Sequence, residues 1–361
     1  MDLNNTQIEK IGKEIEKKIK GKTLFDEFSR GRYSTDASLY QIKPLGVVLP
    51  KDQNDVLSLM EYSQRNSIPL LARGGGSSQC GQTVGECIVL DYSRHQNKIL
   101  ELNVEERYVW VEPGIVLDHL NAYLKPHGLW YPVDVSTSSR ATIGGMTANN
   151  SCGSRSLYYG NMVHNVLAIE TILDDGSIHT FDTVNKNYLA TTNDQDRLYE
   201  IINKFIDVKQ QVKNEIDENW PQTQRRVGGY NIDLIDPNGF NSSSILVGSE
   251  GTLSLFNKIK LKLSEIPTNK VLGVCYFDSF HQAMELTKEM VNLKPTTVEL
   301  MDKNLLDLAK DIPMYAGGIR KYIKGNPEAV LMVEFIDTDP NVYEKKIKDL
   351  EYLCLLYTSD A

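Results

Sequence analysis

The stretch Ile68-Pro-Leu-Leu-Ala-Arg-Gly-Gly-Gly-Ser-Ser78 joins an apolar run to three consecutive glycines and two serines. Glycines at the end of a strand let the backbone turn tightly and bring several N–H groups within reach of one anion. Arg73 adds positive charge, and Ser77 and Ser78 add hydroxyl donors. The stretch therefore predicts a phosphate or pyrophosphate site, while a surface hairpin without a ligand fits the same residues equally well.

A second segment, Tyr131–Gly153, consists almost entirely of small, hydroxyl and amide side chains. Few protein cores need that composition, whereas a backbone that lies along a large polar cofactor does. We therefore expect the two segments to form one cofactor site. A glycine-bearing surface loop is the alternative for the second segment.

The length and charge of the chain limit the classes of protein it can belong to. Its 361 residues correspond to about two domains. A net charge of −9 and a pI near 5.3 argue against a nucleic-acid partner, because phosphate binding needs a basic face. No run of apolar residues is long enough to span a membrane, so no spanning segment is expected, and peripheral association stays open.

Cysteine usage and the N-terminus favour a cytoplasmic protein. Residues 1–5 lack the cationic and apolar regions of a signal peptide. The five cysteines are scattered and odd in number, which gives no disulfide framework and fits reduced thiols. No two cysteines form a Cys-x-x-Cys pair, and the six histidines form no His-x-His or His-x-x-x-His pair. The sequence therefore predicts no metal ligands.

Hydrophobic periodicity predicts alternating short strands and helices. Residues 7–20 place four isoleucines on one helical face. A strand at 45–49, a helix from the N-cap Asp52 to about residue 66, and a strand at 68–72 form a strand–helix–strand step that ends at the glycine loop. Further elements are predicted as strands at 87–91, 99–103, 108–112, 166–173, 178–181, 245–248, 255–263, 271–277 and 299–302, and as helices at 117–124, 197–218 and 280–293. Asp175-Gly176, a favoured turn dipeptide, predicts a hairpin between the strands at 166–173 and 178–181.

The two segments and a third, Gly248-Ser-Glu-Gly-Thr-Leu253, resemble the vanillyl-alcohol-oxidase-type (PCMH-type) FAD-linked oxidases and dehydrogenases. The resemblance covers roughly residues 30–335. Three other stretches, Tyr33–Ser38, Pro44–Pro50 and Arg225–Asn231, match in order and spacing the branch that oxidises D-lactate, glycolate and D-2-hydroxyglutarate. Chance agreement of five or more ordered motifs is improbable.

The resemblance implies an α+β fold with a particular order of domains. An N-terminal helix at 1–29 is expected before a PCMH-type FAD-binding domain of two α/β subdomains at 30–267. Residues 268–361 would begin an α+β substrate cap, the FAD-linked oxidase C-terminal domain. The cap is expected to be truncated, and the sequence interpretation treats the chain as a fragment. The final residues 355–361 resemble translated sequencing-adapter read-through.

The resemblance also implies which residues bind the cofactor. Many relatives carry a histidine at the end of the glycine loop that is covalently tied to the flavin. Ser77 stands there in this chain, which implies non-covalent FAD. The implied cofactor-binding residues are Arg73, Gly74, Gly75, Gly76, Ser77, Ser78, Pro132, Asp134, Ser138, Thr142, Gly144, Gly145, Asn150, Cys152, Gly153, Glu250 and Gly251.

On the substrate side, the resemblance implies catalytic roles for Arg226 and Tyr230. An arginine fork suits a carboxylate in charge and geometry. An exposed salt bridge and a core tyrosine are the alternatives. Relatives of this branch place paired histidines and an acid in the later cap, where a metal and a base would sit. This chain offers no such pair, so neither is predicted; His164, beside the second segment, is a candidate flavin contact or a hydrogen-bonded loop histidine.

The function implied is an FAD-dependent dehydrogenase that oxidises a small-molecule D-2-hydroxy acid, of the D-lactate or D-2-hydroxyglutarate type, to the 2-oxo acid. Electrons would pass to a cytochrome, a quinone or an iron–sulfur module. Two alternatives stay open: an oxidase of another alcohol or sugar on the same cofactor domain, and a non-catalytic flavin-binding subunit that relays electrons.

Overall fold

The computed structural model describes residues 4–191, 196–336 and 340–358. The chain divides into two compact units, each with its own sheets and core. Unit 1 comprises Met1–Cys152 and Asn161–Ser264, and unit 2 comprises Gly153–Gly160 and Glu265–Ala361. The sequence-based boundaries after residues 29 and 267 stay predictions. The mixture of helices and strands confirms the α+β class.

The elements are numbered along the chain. The strands are β1 Lys22–Leu24, β2 Gly46–Leu49, β3 Leu70–Arg73, β4 Ile88–Asp91, β5 Ile99–Asn103, β6 Tyr108–Val111, β7 Leu129–Trp130, β8 Val166–Ile172, β9 Ile178–Phe181, β10 Thr183–Asn185, β11 Gly239–Asn241, β12 Leu255–Lys262, β13 Ser264–Glu265, β14 Lys270–Phe277, β15 Thr297–Asp302 and β16 Ala329–Ile336. The helices are α1 Asn5–Glu16, α2 Glu27–Arg32, α3 Gln53–Asn66, α4 Leu117–Leu124, α5 Ile143–Asn149, α6 Ser156–Tyr159, α7 Met162–Asn165, α8 Lys186–Thr191, α9 Arg197–Gln211, α10 Lys213–Asn219, α11 Phe280–Asn292, α12 Lys303–Asp311, α13 Pro313–Tyr322 and α14 Pro340–Thr358.

The first sheet of unit 1 carries the glycine loop. Its strands run in the order β1-β2-β4-β3, with β2, β4 and β3 parallel and β1 antiparallel at the edge. Helix α3 connects β2 to β3, and the Asp52 side chain accepts hydrogen bonds from the N–H groups of Asn54 and Asp55. This confirms the predicted cap and the strand–helix–strand step. Helix α1 adds Ile8 and Ile15 to the core beneath the sheet.

The second sheet of unit 1 is antiparallel, with five strands in the order β5-β6-β12-β8-β9. The hairpin β8–β9 turns at the predicted Asp175-Gly176 pair, where Gly176 has φ +81°. Helices α4, α5 and α9 contribute to the core that Ile169 and Ile259 of the sheet share. The Tyr131–Gly153 segment packs on this second core through Ile143 and Met146 of α5, which are both buried in it.

Unit 2 contains a three-stranded antiparallel sheet in the order β14-β16-β15. Helices α11 and α14 pack on it, and their buried residues form one cluster with Phe277, Leu331 and Phe335. The predicted strand–helix–strand start of this region is confirmed. Within the described ranges, no helix is both long enough and apolar enough to cross a membrane.

Two predicted elements differ from the structure. Residues 245–248 are not a strand: a 3-10 turn occupies Ser242–Ile245, and Ile245, Leu246 and Val247 are all buried without the alternation of a half-buried strand. The predicted helix at 197–218 is two helices, α9 and α10, which separate at Val212. Within the second glycine segment, the Gly-Gly pair opens helix α5.

Two predictions fall partly outside the described residues. The absence of a signal peptide was inferred from residues 1–5, of which 1–3 are not described. Helix α14 continues through residues 355–358 of the segment interpreted as read-through, and residues 359–361 lie outside the described part.

Candidate functional site

A cavity of about 420 Å³ lies in unit 1 where three separate segments meet. The first is the glycine loop after β3, the second is the stretch around helix α5, and the third is the turn before β12. Arg73 ends β3 and Tyr92 follows β4, so the cavity adjoins the carboxyl ends of two parallel strands. Open α/β sheets bind ligands at that edge.

The glycine loop presents backbone donors to the cavity. Residues Gly74–Ser78 all line it, and none of their N–H groups donates to an acceptor among the described residues. Arg73 lines the cavity as well, and its Nη1 donates to the carbonyl oxygens of Tyr33 at 3.2 Å and Thr83 at 3.1 Å. Its guanidinium also lies 5.2 Å over the Tyr33 ring. Arg73 thus ties the end of β3 to the backbone at Tyr33 and Thr83, and it adds positive charge beside the free N–H groups.

The glycines are needed because the loop packs tightly on the second segment. A Cβ on Gly74 would lie 2.0 Å from Thr142 Oγ1, and a Cβ on Gly75 would lie 2.2 Å from the Arg140 carbonyl oxygen. Within the loop the left-handed conformation occurs at Gly76, where φ is +62°.

The second segment is shaped by caps at both ends of α5. Thr142 begins the helix, and its Oγ1 accepts from the N–H of Gly145 at 3.3 Å. A Cβ on Gly144 would lie 2.6 Å from Pro113 Cβ, so this glycine permits close packing within the protein. Asn150 ends the helix with φ +52°, and its Oδ1 accepts from the N–H of Val163 at 3.0 Å. Asn150 is fully buried and has a structural role here.

Glu250 joins the three segments through one carboxylate oxygen. Its Oε1 accepts from Asn149 Nδ2 at 2.9 Å and from Gln82 Nε2 at 3.3 Å. The chain of bonds extends further on each side, because Gln82 Oε1 accepts from the Ser78 hydroxyl and Asn149 Oδ1 accepts from the Ser151 hydroxyl. Glu250 itself has φ +51°, a conformation that few residues other than glycine adopt. The local strain indicates that the carboxylate position is specified by its surroundings.

Most of the predicted cofactor residues converge on this cavity. Those that line it are Arg73, Gly74, Gly75, Gly76, Ser77, Ser78, Thr142, Gly144, Gly145, Cys152, Glu250 and Gly251. Pro132, Asp134, Ser138 and Asn150 lie in unit 1 but are not among the lining residues. Gly153 belongs to unit 2, where its N–H donates to Ser156 Oγ at 3.0 Å.

The structure adds lining residues that the sequence interpretation missed, among them Gln82, Asn149 and Ser254. All three had a signal in principle, as polar residues within or close to the three segments. Tyr92 also lines the cavity, its hydroxyl has no partner among the described residues, and burial raises its pKa so that the phenol stays neutral.

Arg226 and Tyr230 are not among the lining residues, although their neighbour Val227 is. Arg226 Nη2 donates to Asp233 Oδ2, and its guanidinium lies 5.1 Å over the Trp220 ring. The two charged side chains are 23% and 19% exposed. Tyr230 is 46% exposed, and its hydroxyl lies 2.7 Å from Thr252 Oγ1. Arg226 and Tyr230 therefore both have structural partners within unit 1. Their role in binding substrate stays a prediction.

His164 lies on the short helix α7, close to Arg226 but not among the cavity-lining residues. Its Nδ1 accepts from the N–H of Asn161 at 3.0 Å, which places the ring proton on Nε2. Burial, and then the charge of Arg226, lower the pKa of His164 below its usual 6.5. The imidazole is thus neutral at pH 7. Among the described residues, no three histidines, cysteines or acids are grouped as a metal site.

The residues of the cavity fit the polar part of FAD. Its pyrophosphate needs several donors, and the unbonded N–H groups of Gly74–Ser78 supply them. Arg73 is the one cation and Glu250 the one acid among the lining residues of the described chain, and that acid is bonded to two amides. A volume of about 420 Å³ lies within the usual range for cofactor sites.

Comparison with known proteins supports the same assignment. A family described as "FAD binding domain" matches residues 44–182, and one described as "FAD linked oxidases, C-terminal domain" matches residues 266–357. A D-2-hydroxyglutarate dehydrogenase of Pseudomonas putida is 34% identical over 91% of this chain and 34% of its own length. The glycolate oxidase subunit GlcD of Bacillus subtilis is 26% identical, over 93% of this chain and 61% of its own.

A solved structure of alkyldihydroxyacetonephosphate synthase superposes with a TM-score of 0.68 over 96% of this chain and 60% of its own. At 18% identity this likeness concerns the fold alone. The chain spans about a third of the length of the D-2-hydroxyglutarate dehydrogenases it matches. With an FAD binding domain followed by an FAD-linked oxidase C-terminal domain, the chain belongs to the PCMH-type family of FAD-linked oxidases and dehydrogenases.

Proposed function

We propose that this chain is the flavin-binding part of a dehydrogenase that oxidises a D-2-hydroxy acid to the 2-oxo acid. The observation that carries the proposal is the cavity at the carboxyl ends of β3 and β4, with its row of unbonded loop N–H groups. The names of the relatives, D-2-hydroxyglutarate dehydrogenase and D-lactate dehydrogenase [cytochrome], support the substrate class.

When bound, FAD supplies the acceptor for the hydride that leaves the alcohol carbon. The chain's own contribution is to bind and orient the cofactor. The N–H groups of Gly74–Ser78 would hold the pyrophosphate, and Arg73 would favour its charge. Glu250 would keep the glycine loop and α5 in fixed register through Gln82 and Asn149. We also propose that FAD is held without a covalent bond, since Ser77 cannot replace a flavin-linked histidine.

For the substrate carboxylate we propose Arg226. A guanidinium has five N–H donors, and the bond to Asp233 uses Nη2 alone. The remaining donors and the 23% exposure of the side chain leave Arg226 able to bind a second carboxylate. The neutral His164 adds no competing charge nearby.

The acceptor of the electrons is proposed to be a cytochrome, a quinone or an iron–sulfur module, and the location to be the cytoplasm. The relative from Arabidopsis thaliana, whose name includes a cytochrome, supports the first acceptor. The oxidase of another alcohol or sugar differs from the leading proposal in substrate alone. The electron-relay subunit differs in having no substrate of its own.

The test is a substrate panel with a redox dye as artificial acceptor. Purified protein loaded with FAD is mixed anaerobically with D-lactate, D-2-hydroxyglutarate, glycolate and the L enantiomers, and the flavin absorbance near 450 nm is followed. Bleaching by one D-acid and not by its L enantiomer supports the proposal. Bleaching by a sugar or a simple alcohol supports the alternative oxidase. A flavin that no substrate bleaches, but that exchanges electrons with the dye, supports the relay subunit.

A further inference from the structure

Tyr92 is a buried tyrosine whose hydroxyl has no hydrogen-bond partner within the ranges that the structure describes. The residue is 5% exposed, and it lines the cavity of unit 1. Buried hydroxyls normally bond to protein groups or to ordered water, because an unpaired one costs free energy. A phenylalanine would fill nearly the same space without that cost. The hydroxyl of Tyr92 is therefore a group that the fold itself does not require.

The backbone holds Tyr92 next to the glycine loop. Strand β4 ends at Asp91, which is paired with Arg73 at the end of β3. The N–H of Tyr92 donates to the Arg73 carbonyl oxygen at 3.1 Å, and the Tyr92 carbonyl oxygen accepts from the N–H of Gln96 at 3.2 Å. Tyr92 is thus bonded to the peptide group that joins Arg73 to Gly74. The N–H of that same peptide group is the first of the loop donors that bond to no acceptor in the described chain.

The aromatic ring of Tyr92 is fixed by packing. It belongs to the core beneath the first sheet, together with Leu90 of β4 and Leu255 of β12. Burial raises the pKa of the phenol, which therefore keeps its proton at neutral pH and is able to donate it in a hydrogen bond. A donor that its surroundings already hold in place binds a ligand at a small cost in side-chain entropy.

We propose that Tyr92 is a cofactor-binding residue whose hydroxyl donates a hydrogen bond to the pyrophosphate of FAD, beside the N–H groups of Gly74–Ser78. The inference rests on the cofactor part of the proposed function, namely that the cavity holds FAD. The ribityl hydroxyls of FAD are acceptors too. The bond between Tyr92 and the Arg73–Gly74 peptide group favours the pyrophosphate, because the same peptide group starts the row of loop donors.

The variant Tyr92→Phe removes the hydroxyl and keeps the ring. Because that hydroxyl has no protein partner among the described residues, we expect the melting temperature of the apoprotein to rise, by roughly 2–4 °C. Loss of a hydrogen bond to a charged group should raise the Kd for FAD by about ten- to a hundredfold. Scanning calorimetry of the apoprotein and fluorescence titration with FAD measure the two effects. A more stable apoprotein that binds FAD more weakly is the expected result.

Tyr62→Phe is the matched control. Tyr62 is 6% exposed and lies in the same core, but its hydroxyl donates to Glu14 Oε2 at 2.8 Å, and it is not among the residues that line the cavity. We expect this variant to lower the melting temperature and to leave the Kd for FAD unchanged. An equal rise in Kd in both variants would overturn the proposal, because core packing would then set the affinity. A fall in the melting temperature of Tyr92→Phe would also overturn it, since the hydroxyl would then have a partner within the protein.

Titration with ADP and with riboflavin identifies the part of FAD that the hydroxyl contacts. ADP keeps a pyrophosphate, whereas riboflavin keeps the ribityl chain and the ring without any phosphate. We expect Tyr92→Phe to weaken ADP binding by a factor similar to that for FAD and to leave riboflavin binding unchanged. A loss confined to riboflavin would overturn the pyrophosphate assignment. Failure of the wild-type protein to bind FAD would refute the proposed function itself, whereas a wild-type Kd in Tyr92→Phe would refute this inference alone.

Discussion

At the scale of single residues, the glycines of the 74–76 loop serve the packing of the protein as much as the approach of a ligand. Gly74 and Gly75 leave room for Thr142 and for the Arg140 carbonyl oxygen, which belong to the second cofactor segment. The two segments that the sequence presents separately are thus interlocked. A side chain at either glycine would push the segments apart and so deform the cavity they share.

Gly75→Ala tests this interlock. The added Cβ would lie 2.2 Å from the Arg140 carbonyl oxygen, and backbone atoms cannot rotate away as a side chain can. We expect the free energy of unfolding to fall by about 1–3 kcal/mol, and the Kd for FAD to rise by about tenfold or more because the loop donors move. Denaturant unfolding and fluorescence titration with FAD measure the two effects. The control is Gly31→Ala, where no atom lies within 4 Å of the new Cβ. Identical results for the two variants would mean that the interlock is unimportant.

Arg226→Lys tests whether this residue anchors the substrate carboxylate. Lysine keeps the charge and can still pair with Asp233, but it loses the two-pronged geometry of the guanidinium. We expect FAD content to be unchanged and kcat/KM for the D-2-hydroxy acid to fall by about ten- to a hundredfold, which corresponds to roughly 1.5–3 kcal/mol. Steady-state kinetics with a dye acceptor, together with the 450 nm absorbance, provide the measurement.

The matched control is Asp233→Asn, which removes the internal partner and leaves Arg226 in place. If Arg226 were only half of a structural ion pair, the two variants would lower the melting temperature alike and leave turnover at the wild-type value. Loss of flavin from Arg226→Lys would instead place the residue on the cofactor side.

At the scale of elements, sequence rules correctly predicted the helices and turns that are determined by contacts between residues close in sequence. Helix α3 was predicted because Asp52 caps its own following N–H groups, and the hairpin β8–β9 because Asp175-Gly176 forms a favoured turn. Residues 245–248 were predicted as a strand from their apolar character, but that character arises from burial on all sides. The members of the cavity that sequence reasoning missed, Gln82 and Asn149, take their importance from Glu250, which lies 168 and 101 residues away.

Glu250 allows the link between the three segments to be tested. In Glu250→Gly the positive φ of +51° is free of strain, but the acceptor for both amides is lost. In Glu250→Gln the side-chain carbonyl oxygen can still accept. Because hydrogen bonds to a charged group contribute about 1.5–3 kcal/mol, we expect the Kd for FAD to rise about ten- to a hundredfold in Glu250→Gly and by a much smaller factor in Glu250→Gln.

Isothermal titration with FAD measures this difference, and circular dichroism of the apoprotein checks that both variants fold. A result in which Glu250→Gln loses as much affinity as Glu250→Gly would show that the negative charge, rather than the link between segments, is what the cofactor requires.

At the scale of the whole molecule, the chain carries two family domains but spans about a third of the length of the D-2-hydroxyglutarate dehydrogenases it matches. Unit 1 contains all the residues that line the cavity, so cofactor binding is a property of this chain that can be measured on its own. Turnover depends also on how substrate and electron acceptor are bound, and the substrate panel and Arg226→Lys address the first of these.

The last prediction concerns how the cofactor is held. Ser77 occupies the loop position at which a histidine would be linked to flavin, and a serine hydroxyl does not form that bond. We expect acid precipitation of the FAD-loaded protein to leave the yellow colour in the supernatant and a colourless washed pellet. The cavity is also lined by two reduced thiols, Cys80 and Cys152, and thiols do react with oxidised rings. Flavin retained in the pellet would therefore disprove the non-covalent assignment, and its loss from the pellet in Cys80→Ser or in Cys152→Ser would then identify the linked residue.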